Sequence, residues 1–302
     1  MSEVGDSSQE NTYFINAESA AEMNRLTIQD RLLTREMGSL LPKDVDPSTI
    51  HKVLDIACGP GGWVLDLATA YRHMDVVGVD LSEKMIDYAN SRKWPNTSFR
   101  LMNILQPLDF PDNTFDFVNA RLLFALMPKA AWSTLLNECM RILRPSGILR
   151  LTECERPLSN SAAFERWGEL SMYAFHSIDM SFSADGKQIC ITPMLSGFLQ
   201  EAGCQNIRHT SFAIDFSAGG DAKGYMYEDA QLGFFLASPF LLKLNPALSE
   251  EELTQLTNQA MKDMNSGDFR AVWYYLLKVN YFRHQMAINL TEKNVLAKDQ
   301  KS

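Results

Sequence analysis

The chain has 302 residues, 46% of them hydrophobic, which is enough to bury a full core and longer than the usual single-domain length. Acidic side chains number 37 against 28 basic ones, and a formal charge of -9 argues against nucleic acid as a partner, because a phosphate-tracking surface needs a surplus of Lys and Arg. Cys58, Cys139, Cys154, Cys190 and Cys204 are odd in number, scattered and never in a C-x-x-C pair, which fits neither a disulfide framework nor a zinc site and suits reduced thiols in a cytoplasm.

In chain order, residues 1–11 read as a polar, disordered tail without the apolar core of a signal peptide. No run of about 18 apolar residues occurs, so integral membrane association is not expected. Ala17–Met37 carries Ala20, Met23, Leu26, Ile28, Leu32 and Leu33 at helical spacing and ends at Gly38. From His51 to Glu155, short apolar runs alternate with helical stretches. The runs are Lys52–Ala57, Asp75–Asp80, Thr97–Met102, Phe115–Ala120 and Gly147–Glu153; the helices are Gly62–Tyr71, Ser82–Ser91, entered through Ser82 as an N-cap, and Lys129–Leu143. That alternation predicts an α/β fold with an open, doubly wound and mostly parallel sheet.

An aromatic stretch, Phe164–Phe182, with a turn at Asp185-Gly186, then reads as an insertion over one edge. A helix (Pro193–Ala202) and a strand (Ile207–Phe216) resume the core. The tail from Ala222 to His284 holds further helices, one entered through a capping box at Ser249–Glu252, and returns a last strand near Lys278–His284. The expected organisation is a tail and N-terminal lid helix (1–40), a core (41–216) with a cap insertion at about 156–191, and a C-terminal helical region (217–302).

The chemistry is concentrated where the first strand, Lys52-Val-Leu-Asp-Ile-Ala, meets Cys58-Gly59-Pro-Gly61-Gly62 and a helix. Glycines let backbone approach a ligand, and a helix N-terminus offers free N–H groups. A dinucleotide fingerprint needs a third small residue after two spacers, but Gly61 is followed by Gly62, Trp63 and Val64, so a nicotinamide oxidoreductase is disfavoured. Asp55, four residues before the first glycine, would repel a pyrophosphate and would accept a ligand carrying an amino group and a sulfonium. Asp80 closes the second strand 25 positions later, where a carboxylate can accept both hydroxyls of a ribose.

These residues resemble the class I S-adenosylmethionine-dependent methyltransferases, whose hallmark is an acid, then G-x-G, then a second acid closing the next strand. Phe115-Asp-Phe-Val-Asn119 and Leu143-Arg-Pro-Ser-Gly-Ile-Leu-Arg-Leu-Thr-Glu153 are similar to the family's fourth and fifth strands, and the likeness extends over roughly Val53–Phe216. It is nearest to the small-molecule enzymes of the ubiquinone and menaquinone type. The resemblance implies a Rossmann-like fold with S-adenosylmethionine as cofactor and S-adenosylhomocysteine as product. Gly59 and Gly61 would contact the methionine part, Asp80 the ribose, and Leu81 and Met85 the adenine faces. Asn103 and Ile104 would meet the adenine edge, with Asn103 standing where the family usually has an acid. An N-terminal helix closes over the cofactor in such enzymes, which adds Tyr13 and Gln29.

Asn119 is a further cofactor candidate, at the carboxyl edge of its strand, where ligands bind in open α/β sheets. Candidates for a catalytic base are His176 and Tyr173 in the insertion and Glu153 on the fifth strand, whereas Asp116 reads as structural. No His and carboxylate cluster has metal-ligand spacing, so no metal is expected. The expected function is methylation of a fairly apolar small molecule at O, C or N, in secondary or quinone-type metabolism. The alternative is a non-catalytic cofactor-binding or assembly protein with the same fold. The apolar tail helices suit a homodimer face as well as a lid.

Overall fold

The computed structural model describes residues 19–282. Helix α1 runs Ala20–Met37; the Ser19 side chain accepts from the Glu22 N–H at its start, and Gly38 at φ 69° closes it in the left-handed region that glycine adopts without strain. The αβ alternation follows as β1 (Lys52–Ile56), α2 (Gly62–Ala70), β2 (Asp75–Asp80), α3 (Glu83–Ser91), β3 (Thr97–Leu101), β4 (Phe115–Arg121), α4 (Ala131–Ile142) and β5 (Leu143–Cys154). After it come β6 (Leu158–Ser159), α5 (Ala162–Ser177), α6 (Ile191–Glu201), β7 (Gln205–Arg208), β8 (Ser211–Asp215), α7 (Lys223–Leu244), α8 (Glu250–Asn265) and β9 (Ala271–Phe282).

Among the described residues one sheet holds every strand, in the order β3-β2-β1-β4-β5-β9; β7 and β8 pair with the far edge of β9, and the short β6 pairs with the same edge as β5. Neighbours from β3 to β5 are parallel, and β9 runs antiparallel to β5. Ser82 caps α3 as the sequence implied, and the Ser249–Glu252 capping box is formed at the head of α8. Asp116 is structural: its Oδ2 accepts the backbone N–H groups of His51 and Lys52, and Arg144 donates to its Oδ1.

Three boundaries differ from the sequence reading. The last strand begins at Ala271, seven residues before Lys278, because β8 pairs with it from Val272 onward. The expected strand Ile207–Phe216 is two strands, divided at His209-Thr210, with Asn206 at φ 58° and a register shift between Gln205 and Arg208. The fifth strand starts at Leu143, and a bulge between Phe115 and Phe117 absorbs the extra residues.

Helices α2 and α3 pack on one sheet face around Trp63, Val64, Leu67 and Ala89, while α4 and α6 cover the other around Trp132, Leu135, Leu136 and Leu195. A third core lies beyond the carboxyl edge, where α1, α5, α7 and α8 close on Phe164, Phe216, Phe234, Phe269 and Tyr275. The segments outside the alternating αβ pattern thus build a roof over the strand ends. Among the described residues no helix is long and apolar enough to cross a membrane.

Candidate functional site

Under that roof lies a cavity of about 350 Å³, within the range of small-molecule sites. Its floor is made by the turns that follow β1 to β5, the edge at which open α/β sheets bind ligands. Two of those turns begin with a strained residue: Ala57 after β1 and Leu122 after β4 adopt φ 53° and 56°. Cys58 N–H bonds to Val79 O (2.9 Å) and Leu122 N–H to Thr152 O (2.9 Å), so the next strand holds each turn.

Asp80 ties the first two turns together. Its Oδ2 accepts the Gly59 N–H (2.8 Å) and its Oδ1 the Ser82 N–H (2.9 Å), while burial pushes its carboxyl above the usual range. The Leu81 N–H also bonds this carboxylate. Asp55 is deeper, at 2% exposure, and burial raises it to about 6 against the pull of Arg121 and of the Asn119 amide. Asn119 Nδ2 donates to Asp55 Oδ1 at 2.6 Å, and Arg150 Nε donates to Asn119 Oδ1 at 2.7 Å.

Helix α1 lies across this floor and is held on both sides by ion pairs. Arg121 Nη2 donates to Asp30 Oδ1 (2.5 Å), and Arg25 bonds Asp229 on α7 (3.0 Å) and both oxygens of Glu22 (2.7 Å). A Cβ built on Gly62 would stand 2.0 Å from Asp30 Oδ2, so glycine is required where α1 meets the head of α2. The opposite half of the cavity is aromatic, lined by Phe124, Phe164, Trp167, Phe175, Phe234 and Phe240.

Of the residues singled out from the sequence, Gln29, Asp55, Gly59, Asp80, Leu81, Met85, Asn103 and Ile104 line the cavity together. Gly61 does not: it heads α2 at φ 79°, and a Cβ there would meet the Phe99 ring at 2.7 Å, so its role is packing. Asn119 also lies off the cavity, fully buried behind Asp55. Tyr13 lies outside the described residues.

None of the three base candidates lines the cavity. The face of α5 that does so carries Phe164, Trp167, Gly168, Ser171, Met172 and Phe175, at helical spacing. Tyr173 on the other side is 53% exposed, and His176 packs on the Gly186 turn. Glu153 is buried and accepts the N–H groups of Leu123 (2.8 Å) and Phe124 (3.3 Å), anchoring the turn that brings Phe124 to the cavity. Arg25, Asp30, Arg121 and Asp229 were missed; the available signal was charge set within apolar helical stretches, as with Arg25 between Met23 and Leu26.

Residues 53–147 match the family model described as a methyltransferase domain. This stretch, from β1 into β5, is thus similar to a methyltransferase domain. The chain is 30% identical over 117 residues to a demethylmenaquinone methyltransferase of Staphylococcus saprophyticus, covering 38% of this chain and 49% of that protein. A Bacillus licheniformis protein of the same name is 33% identical over 107 residues, 34% of this chain and 45% of that one. The match therefore spans about half the length of these relatives. A phosphoethanolamine N-methyltransferase of Haemonchus contortus shares the fold, with a TM-score of 0.51 at 15% identity over 89% of this chain and 58% of that one.

Two measurements test this account of the methyltransferase domain. Gly61→Ala adds left-handed strain and a clash, and should cost about 2–4 kcal/mol in urea unfolding. Gly59→Ala, whose Cβ would keep 3.7 Å clearance, should cost only the strain of about 1–2 kcal/mol; equal costs would refute the packing role. Burial raises Glu153 from 4.5 to about 8, so the folded state keeps a proton that the unfolded state loses. Its contribution is complete below about pH 4.5 and is lost as pH rises through about 8. Melting temperatures at pH 5, 6.5 and 8 should show Glu153→Gln gaining on the wild type at each step, and parallel curves would contradict it.

Proposed function

We propose that the protein transfers a methyl group from S-adenosylmethionine to a fairly apolar small-molecule acceptor. The observation that carries this reading is one cavity with two chemically different halves. Asp55 and Asp80 line the half next to the glycine turn, and seven aromatic rings, Trp273 among them, line the other half. The lining residues include five carboxylates, Asp30, Asp55, Asp80, Glu155 and Asp229, against three guanidiniums, Arg25, Arg121 and Arg156. That excess of two acids suits a cationic ligand.

The residues fit the adenosyl donor. Asp80 would take the ribose hydroxyls, Leu81 and Met85 would flank the adenine, and Asn103 and Ile104 would meet its edge. Asp55, Gly59 and Gln29 would face the methionine part. When bound, S-adenosylmethionine supplies an electrophilic methyl group on a sulfonium, leaving S-adenosylhomocysteine after transfer. The aromatic lining excludes water and presents ring faces to positive charge. By holding the acceptor in line, the cap half contributes through proximity, an effect worth roughly 7–11 kcal/mol in well-oriented reactions.

For an acceptor that sheds a proton, Asp229 and Glu155 are the carboxylates of the cap half among the described residues. Glu155 is occupied, accepting from Cys190 N–H, Thr192 N–H and Thr192 Oγ1, which leaves Asp229, raised by burial beside Arg25, as the better base. The relatives' name makes demethylmenaquinone their acceptor, and a ring-bearing apolar acceptor of quinone-type or secondary metabolism suits these aromatic walls.

Titration calorimetry with adenosylmethionine should show binding by the wild type and a loss of at least tenfold in Asp80→Ala, from two hydrogen bonds to a charged group. Absence of binding by the wild type, or unchanged binding by the variant, would overturn the assignment. Labelled methyl should then pass to an acceptor in an apolar metabolite extract; binding without any transfer would favour a non-catalytic role.

A further inference from the structure

We propose that Arg150 is a positioning residue for the donor half of the cavity: it turns the Asn119 amide so that its N–H faces Asp55, and so holds Asp55 as a carboxylate toward the ligand. The proposal rests on the reading of that half as the adenosylmethionine site.

The sheet register sets the arrangement. Asp55 pairs with Asn119 across β1 and β4, and Asn119 with Arg150 across β4 and β5, so the three side chains form one row inside apolar strands. All three are buried, Arg150 and Asn119 completely. Guanidinium only donates, so the amide must turn its oxygen to Arg150 Nε (2.7 Å) and its NH₂ to Asp55 Oδ1 (2.6 Å). A protonated Asp55 oxygen could not accept that hydrogen bond equally well.

Arg150 does not line the cavity, and its place in the sheet is one that an apolar residue would normally fill. Its guanidinium lies over the stacked rings of Trp63 (5.0 Å) and Phe117 (5.4 Å), and its Nη1 donates to Leu40 O at 2.6 Å. Trp63 Nε1 donates to the same carbonyl (3.3 Å), so the chain that orients Asp55 also anchors the segment following α1. The charged and titratable groups facing Asp55 are Arg121 at the end of β4, Asp30 on α1, Cys58 in the glycine turn and Arg150 itself. All but Arg150 stay in place when Arg150 is replaced.

The test follows the Asp55 carboxyl by carbon NMR in the ligand-free protein, as wild type and as Arg150→Met, which keeps the apolar stem and removes the donors. The wild type should titrate near 6 and the variant about one unit higher. Adenosylmethionine binding should then be weakened roughly five- to tenfold at pH 5.5 and converge on the wild type above pH 8. An unmoved Asp55 midpoint, or weakening that is equal at every pH, would show that Arg150 only packs the sheet and would overturn the proposal.

If the wild type binds no adenosylmethionine, the cofactor reading fails while the NMR titration still decides whether Arg150 orients Asp55. Should Arg150→Met not fold, Asn119→Ala cuts the same chain nearer the cavity and should raise the midpoint likewise. In the wild type alone, the Asn119 side-chain NH₂ resonances should move with the Asp55 titration; resonances that ignore it would equally refute the relay.

Discussion

The central sheet is organised by a charge that has to be buried. Asp55 stands in a β1 whose other inner residues, Val53, Leu54 and Ile56, are fully enclosed, and an isolated carboxylate there would cost several kcal/mol. Asn119 and Arg150 in the same row of β4 and β5 compensate it with two short hydrogen bonds. The row also specifies the sheet: a one-residue slip of any of these strands would turn its polar side chain to the opposite face, among the apolar residues around Trp132.

From that row the constraint passes to the lid. Arg150 holds Leu40 O, and Arg121, two residues beyond Asn119, holds Asp30 on α1. On its other side α1 is joined to α7 through Arg25 and Asp229. Helix α1 is therefore bonded both to the sheet and to the roof. These pairs are buried, so breaking one partner leaves an uncompensated charge and costs far more than a surface pair would.

The turns show how a rigid scaffold presents an adaptable site. Left-handed Ala57 and Leu122 bend the chain sharply at the carboxyl ends of two central strands, and neighbouring strands hold both bends. Glu153 plays its part here by accepting two N–H groups of the turn after β4. Placed by the sequence as a base candidate at the end of the fifth strand, it serves to fix Phe124 against the cavity.

The sequence alone determined the half of the cavity that holds Asp55 and Asp80. Strand, glycine turn and helix are neighbours along the chain, their periodicities are distinct, and Asp55 and Asp80 stand at strand positions that such a pattern places at one edge. Most of the fold was legible for the same reason, down to the Ser82 and Ser249 caps. The tertiary structure decided which residues meet: Arg25 with Asp229, 204 positions apart, Arg121 with Asp30, and Arg150 with Leu40. It also turned Tyr173 and His176 away from the cavity and placed β9 against β5. Local patterning reports which face of an element is apolar, whereas pairing across the roof depends on how separate elements pack, and that is set by the burial of the whole third core.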